Sequence, residues 1–85
     1  MKAIWKYPFE IADEIVLAMP GGAGVLSVQM QGNTPTLWAL VDTDAQRELR
    51  SFVVWGIGHE HNTAPGSYVG TIQEGQFAWH IFEKR

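Results

Sequence analysis

The sequence predicts an all-β fold, mainly antiparallel: a small seven-stranded sandwich or partly open barrel with one short helical turn near residues 44–50. Three observations carry this. Apolar and polar residues alternate with period two in several runs, the pattern of a strand with one wet face. Turn-forming clusters such as Pro20-Gly21-Gly22, Gly32-Asn33 and Glu74-Gly75 separate those runs. Aromatic residues make up 12% of the chain and hydrophobic residues 46%, so a short chain still has large side chains with which to build a core.

Taken in order, Ala3 to Phe9 sets Ala3, Trp5, Tyr7 and Phe9 on one face and Ile4 and Lys6 on the other, with Pro8 limiting the pairing of its end. Glu14 to Met19 places Ile15, Leu17 and Met19 together. Val25 to Gln31 alternates most clearly, Leu26, Val28 and Met30 against Ser27, Gln29 and Gln31. Thr36 to Val41 is nearly continuous in apolar residues, which predicts burial on both faces and a hairpin with the preceding strand. At Asp42-Thr43-Asp44 the residues suit a helix N-cap, and Thr43 with Gln46 has the capping-box spacing. Ala45 to Leu49 therefore reads as a helical turn whose Leu49 docks on the sheet, since one turn cannot stand alone in water. Ser51 to Ile57 is the fifth strand. Tyr68 to Gln73 and Gln76 to Phe82 form a last hairpin across Glu74-Gly75, where glycine admits the positive φ of a tight turn.

Eighty-five residues allow one hydrophobic core, hence a single β domain over residues 1–85, burying about 60–65% of the surface its unfolded chain exposes. Six basic against nine acidic residues give a net charge of −3, opposite to the footprint of a general nucleic-acid binder. Lys2, Lys6, Lys84 and Arg85 read as solubilising charges at strand edges and termini. The chain has no cysteine, which removes disulfides and thiolate zinc sites. No run of apolar residues reaches membrane-spanning length and no signal peptide opens the chain, so the expected location is the compartment of synthesis.

Candidate chemistry is sparse. His59-Glu60-His61 on an extended segment points two imidazoles one way, and with His80 they supply the three protein ligands of a catalytic zinc with none to spare. Solvated loop histidines are the plainer reading. Gly56-Ile57-Gly58 brings backbone N–H groups together but lacks the following Lys, Ser or Thr of a phosphate loop. Trp5, Trp38, Trp55 and Trp79 fall on four strands, as core, as pocket wall or as a stacking platform for bases. No serine sits on a strand–nucleophile–helix elbow, and the residues favour a non-enzymatic protein with no cofactor. The longest irregular segment, Gly58 to Ser67, is where a rigid sheet would hold binding groups. The expected ligand- or partner-binding residues are thus Trp55, Gly58, His59, His61 and Tyr68.

Ile4-Trp5-Lys6-Tyr7-Pro8, Met19-Pro20, Leu26-Ser27-Val28-Gln29, Leu37-Trp38-Ala39-Leu40-Val41-Asp42, Gly56-Ile57-Gly58-His59, Tyr68-Val69-Gly70-Thr71 and Trp79-His80-Ile81-Phe82-Glu83 form an ordered series. In that series the chain resembles a family of small uncharacterised proteins encoded by bacteriophages, prophages and their bacterial hosts. The family pattern usually has threonine where this chain has Ile57, and Glu60 to Gly66 diverges. The resemblance carries over no activity or catalytic residue. It implies a compact accessory protein of a phage or prophage. With no catalytic constellation among the residues, the leading expectation is a binding protein in the host cytoplasm that acts against host defence, by blocking a defence protein, such as a CRISPR component, or by sequestering a signalling nucleotide. The alternatives are a small metal-dependent hydrolase using His59, His61 and His80, or a virion or regulatory accessory protein. Strands at both ends of the chain leave edges and apolar surface open, so a homo-oligomer, most simply a dimer, is expected.

Overall fold

Inward-facing apolar residues on alternate positions generate seven strands in the computed structural model, which describes residues 1–84. They are β1 (Lys2–Pro8), β2 (Glu14–Pro20), β3 (Gly24–Gln31), β4 (Thr34–Asp42), β5 (Arg47–Gly56), β6 (Ser67–Glu74) and β7 (Phe77–Glu83). They make two antiparallel sheets, one in the order β1-β4-β3 and the other β2-β5-β7-β6. The described strands divide into two separate sheets and close no barrel, the arrangement of the expected sandwich. Arg85, the last of the four terminal and edge cations, lies outside the described residues.

The core lies between the sheets. Leu37, Ala39 and Val41 of β4 face Met19, Phe52, Val54, Ile72 and Ile81 of the other sheet in one buried cluster, with Ala3, Trp5 and Tyr7 packed against it. β1 and β2 alternate as the sequence predicts, leaving Ile4 63% and Val16 54% exposed. β3 departs from strict alternation because its register shifts between Val25 and Ser27. The extra residue turns Val25 inward and leaves Leu26, expected beside Val28, facing solvent. Burial of β4 on both faces holds only in part. Thr36 has no exposure, lying where Lys6 Nζ donates to Gln31 Oε1 across the strand at 3.2 Å, whereas Leu40 is exposed.

The two sheets approach most closely where β3 lies beside β6. A Cβ on Gly70 would stand 2.8 Å from Val28 Cγ1, so this contact requires a residue without a side chain.

The expected helical turn at Ala45–Leu49 is not present. Asp42 caps as predicted, accepting from Asp44 N at 3.1 Å, but Ala45 N donates to Asp42 O and closes a single turn. Thr43 N and Oγ1 bond to Met1 O instead of starting a helix. From Arg47 the chain already pairs with β2, Arg47 opposite Pro20 and Leu49 opposite Ala18. Leu49, expected to dock, is 75% exposed. The run Gln46-Arg47-Glu48-Leu49-Arg50 is rich in helix formers, and tertiary contacts override that preference. Arg50 forms a two-point ion pair with Glu83 at 2.6 and 2.9 Å and donates to Ala23 O, while the Arg47 guanidinium lies 4.9 Å from the centre of the Trp5 ring. These contacts hold a charged strand at the rim of the sandwich. Glu83 raises the pKa of Arg50 further above its ordinary value by hydrogen bonding to the charged form.

Candidate functional site

The face of the four-stranded sheet turned away from the core carries Trp55, Tyr68 and Phe82. Along β5 the inward positions are Phe52 and Val54, so Val53 and Trp55 point outward. On β7 Trp79 and Ile81 pack inward and leave His80 and Phe82 outside. Pairing aligns these residues: Trp55 is opposite His80, Val53 opposite Phe82, Phe82 opposite Tyr68, and His80 opposite Thr71. An outward row therefore runs from β5 across β7 to β6. The Trp55 and Phe82 rings are 5.7 Å apart and tilted by 55°, and Phe82 meets Tyr68 edge-on at 5.5 Å.

β5 and β6 each pair with β7 in antiparallel sense, so they run parallel to each other. The connection 57–66 must then return the length of a strand, and it folds back along the outer side of β5. His61 lies flat on Trp55, with ring centres 3.8 Å apart and planes 2° from parallel. The segment rejoins the sheet at Gly66 (φ 115°), where any side chain would strike the Glu83 carbonyl. Beneath it a groove of about 420 Å³ is bounded by Asp13, Glu14, Val53, Trp55, Pro65 and Lys84. Lys84 Nζ pairs with Glu14 at 3.2 Å, and the Asp13 carboxylate has no ion-pair partner among the described residues.

At the far end of the row, Tyr68 Oη and Thr71 Oγ1 are 2.6 Å apart and Thr71 Oγ1 lies 2.9 Å from His80 Nδ1. This chain of hydroxyl, hydroxyl and imidazole is open to solvent. Its effect is to pin the Tyr68 ring upright against Phe82; it does not shield a nucleophile from water.

Of the five residues expected to bind, Trp55, His61 and Tyr68 share this face. Gly58 (φ 82°) forms the bend that starts the return. His59 turns the other way, its ring beside Gly56 and Trp79 in a separate hollow that includes Phe77. His61 and His80 are both neighbours of Trp55 on the outer face while His59 stands apart, and among the described residues no three His, Asp or Glu side chains gather as metal ligands. The four tryptophans divide: Trp5 and Trp79 pack against the core, while Trp38 and Trp55 belong to the outer faces. Phe82 and Thr71 are members of this face that sequence reasoning missed. Phe82 carried a usable signal, because Trp79 and Ile81 inside force His80 and Phe82 outside.

Fold and face together define a small antiparallel β-sandwich that presents an aromatic surface and a shallow, acidic-edged groove on one sheet. The chain belongs to a family described as a domain of unknown function (DUF7352), whose model matches residues 1–85. No curated protein and no solved structure matches it. Among the described residues no helix is long and apolar enough to cross a membrane.

Proposed function

We propose that this chain is a non-catalytic binding protein that a phage or prophage directs against host defence in the host cytoplasm, by covering a surface of a host defence protein. The observation that carries the reading is the row Trp55, Phe82 and Tyr68 on the solvent side of a hydrogen-bonded sheet. Aromatic side chains held rigidly outward are the usual anchors of protein interfaces, because they bury large area at little conformational cost. The genomic setting comes from the sequence's resemblance to phage-encoded proteins. Self-association belongs to the same reading.

The test is plating of phage on hosts that each carry one defined defence system, with and without the chain expressed. Expression is expected to restore plating against one system, and Trp55→Ala with Tyr68→Ala to remove the effect while the purified variant keeps its β-sheet circular dichroism. Unchanged plating on every defended host would sink the proposal.

A second reading, sequestration of a signalling nucleotide, has one observation in its favour: the His61 ring occupies the position over Trp55 that a base would take. Against it stands the edge of the groove, where, among the described residues, two carboxylates meet one lysine. A ligand at 100 times its dissociation constant would stabilise the fold by about 2.7 kcal/mol, so a thermal-shift panel of cyclic and linear nucleotides would show it. A flat panel removes this branch.

A further inference from the structure

We propose that the groove beneath the 57–66 segment receives an arginine side chain of the bound protein, its guanidinium laid on Trp55 where His61 now lies and its charge facing Asp13. This assignment rests on the reading that the outer face binds a protein, and it names the chemistry of that protein's anchor.

Three features converge on a planar cation. The first is the coplanar stack at 3.8 Å between Trp55 and His61. His61 is itself exposed and sits on the returning segment, not on a strand, so its ring covers the indole without being fixed there by the sheet. A flat group of similar size can replace it with little rearrangement of β5. The second is charge. Among the described residues the groove holds Asp13 and Glu14 against Lys84, and Lys84 is already committed to Glu14 at 3.2 Å. An entering phosphate would face the Asp13 carboxylate and would have to draw Lys84 off Glu14. An entering guanidinium would find, in one groove, an aromatic face and a carboxylate with no ion-pair partner among the described residues, the two partners it engages best. The third is that the molecule already makes this contact elsewhere: the Arg47 guanidinium lies 4.9 Å from the centre of the Trp5 ring. The net charge of −3 also speeds encounter with a basic surface. Arginine fits better than lysine because a plane stacks over its whole area whereas an ammonium is compact and strongly hydrated.

The geometry gives His61 an unusual role, that of a placeholder which competes with the ligand. Removing it should therefore tighten binding, whereas a residue that merely supports the groove would weaken binding when removed.

The experiment is an NMR titration of the intact protein with a blocked glycine-flanked arginine peptide, its lysine and citrulline counterparts, and adenosine monophosphate. The arginine peptide is expected to shift the Trp55 indole and His61 imidazole resonances, and citrulline, which has the shape without the charge, to leave them unmoved. Asp13→Asn should weaken the arginine peptide about tenfold, as loss of one close charge partner does, and His61→Ala should strengthen it. Adenosine monophosphate moving the Trp55 signal while the arginine peptide does not would overturn the assignment, as would weaker binding by His61→Ala or no response to any probe. Restored phage plating combined with a silent arginine titration would defeat the arginine anchor and leave the protein-blocking reading standing. Failure of plating on every host together with a positive titration would do the reverse.

Discussion

Single residues in this small sandwich combine two tasks that larger domains separate. Tyr7 packs against the core while its hydroxyl is buried with no hydrogen-bond partner among the described residues, and Trp79 Nε1 is in the same position. An unpaired buried polar atom opposes folding by about 1–3 kcal/mol. Tyr7→Phe removes the hydroxyl and keeps the ring, so it is expected to leave stability unchanged or raise it by up to about 1 kcal/mol. Urea unfolding of the two proteins measures this, and a clear loss of stability would show that the hydroxyl is satisfied in solution. Arg50 is the converse case. Its head is mostly buried but satisfied on three sides, by both oxygens of Glu83 and by Ala23 O, so a charge stands at the rim of an apolar core without an unsatisfied donor dominating.

At the scale of elements, close contact between β3 and β6 joins sheets that share no hydrogen-bonded strands. Gly70 is what permits it, with Val28 Cγ1 only 2.8 Å from where a Cβ would stand. Gly70→Ala is expected to destabilise the fold by about 1–3 kcal/mol, the range for forcing extra volume into a packed contact. Thermal unfolding tests it, and an unchanged melting temperature would mean that the sheets separate there freely. The strands themselves were legible because their inward residues alternate, as in β1 and β2, and because glycine turns punctuate the two hairpins. The start of β5 was not legible. Arg47 and Arg50 are held in the strand by Trp5, Glu83 and Ala23, Glu48 accepts from Gly22 N, and all pair with β2; no local pattern encodes those partners. The same limit divided the candidate site. Trp55, His61 and Tyr68 could be placed together from the loop that links their strands, but Phe82 joins them through a sheet pairing and Asp13 through its carbonyl, which accepts from Val54 N, contacts that only the fold supplies. His59 stands apart because its ring folds back beside Gly56 and Trp79 while the His61 ring lies on Trp55, so the two imidazoles do not point one way.

At the scale of the whole molecule, the open edges decide how copies would meet. β7, at the end of the described chain, is interior to its sheet and offers no edge, contrary to the expectation that both terminal strands would. β3 and β6 stand side by side where the sheets come closest, at Val28 and Gly70, which crowds a second copy there. That leaves β1 and β2. β1 is guarded: an antiparallel pairing of two β1 strands about Ile4 would set Lys2 against Lys6 of the other copy, like charges directly opposed. β2 has no such guard, since Ile15 to Pro20 carries no charge and Val16 is 54% exposed. Two β2 strands paired about Leu17 would set Val16 against Ala18 of the second copy and merge the four-stranded sheets into one continuous sheet across a twofold axis. The protein is therefore expected to be a dimer by light scattering at micromolar concentration. Val16→Glu should shift it to monomer, and Ile4→Glu, on the guarded edge, should leave the dimer intact. A monomeric parent protein would dismiss self-association through either edge, and dissociation by Ile4→Glu alone would move the interface to the outer face of the three-stranded sheet, where Ile4 lies opposite Leu40.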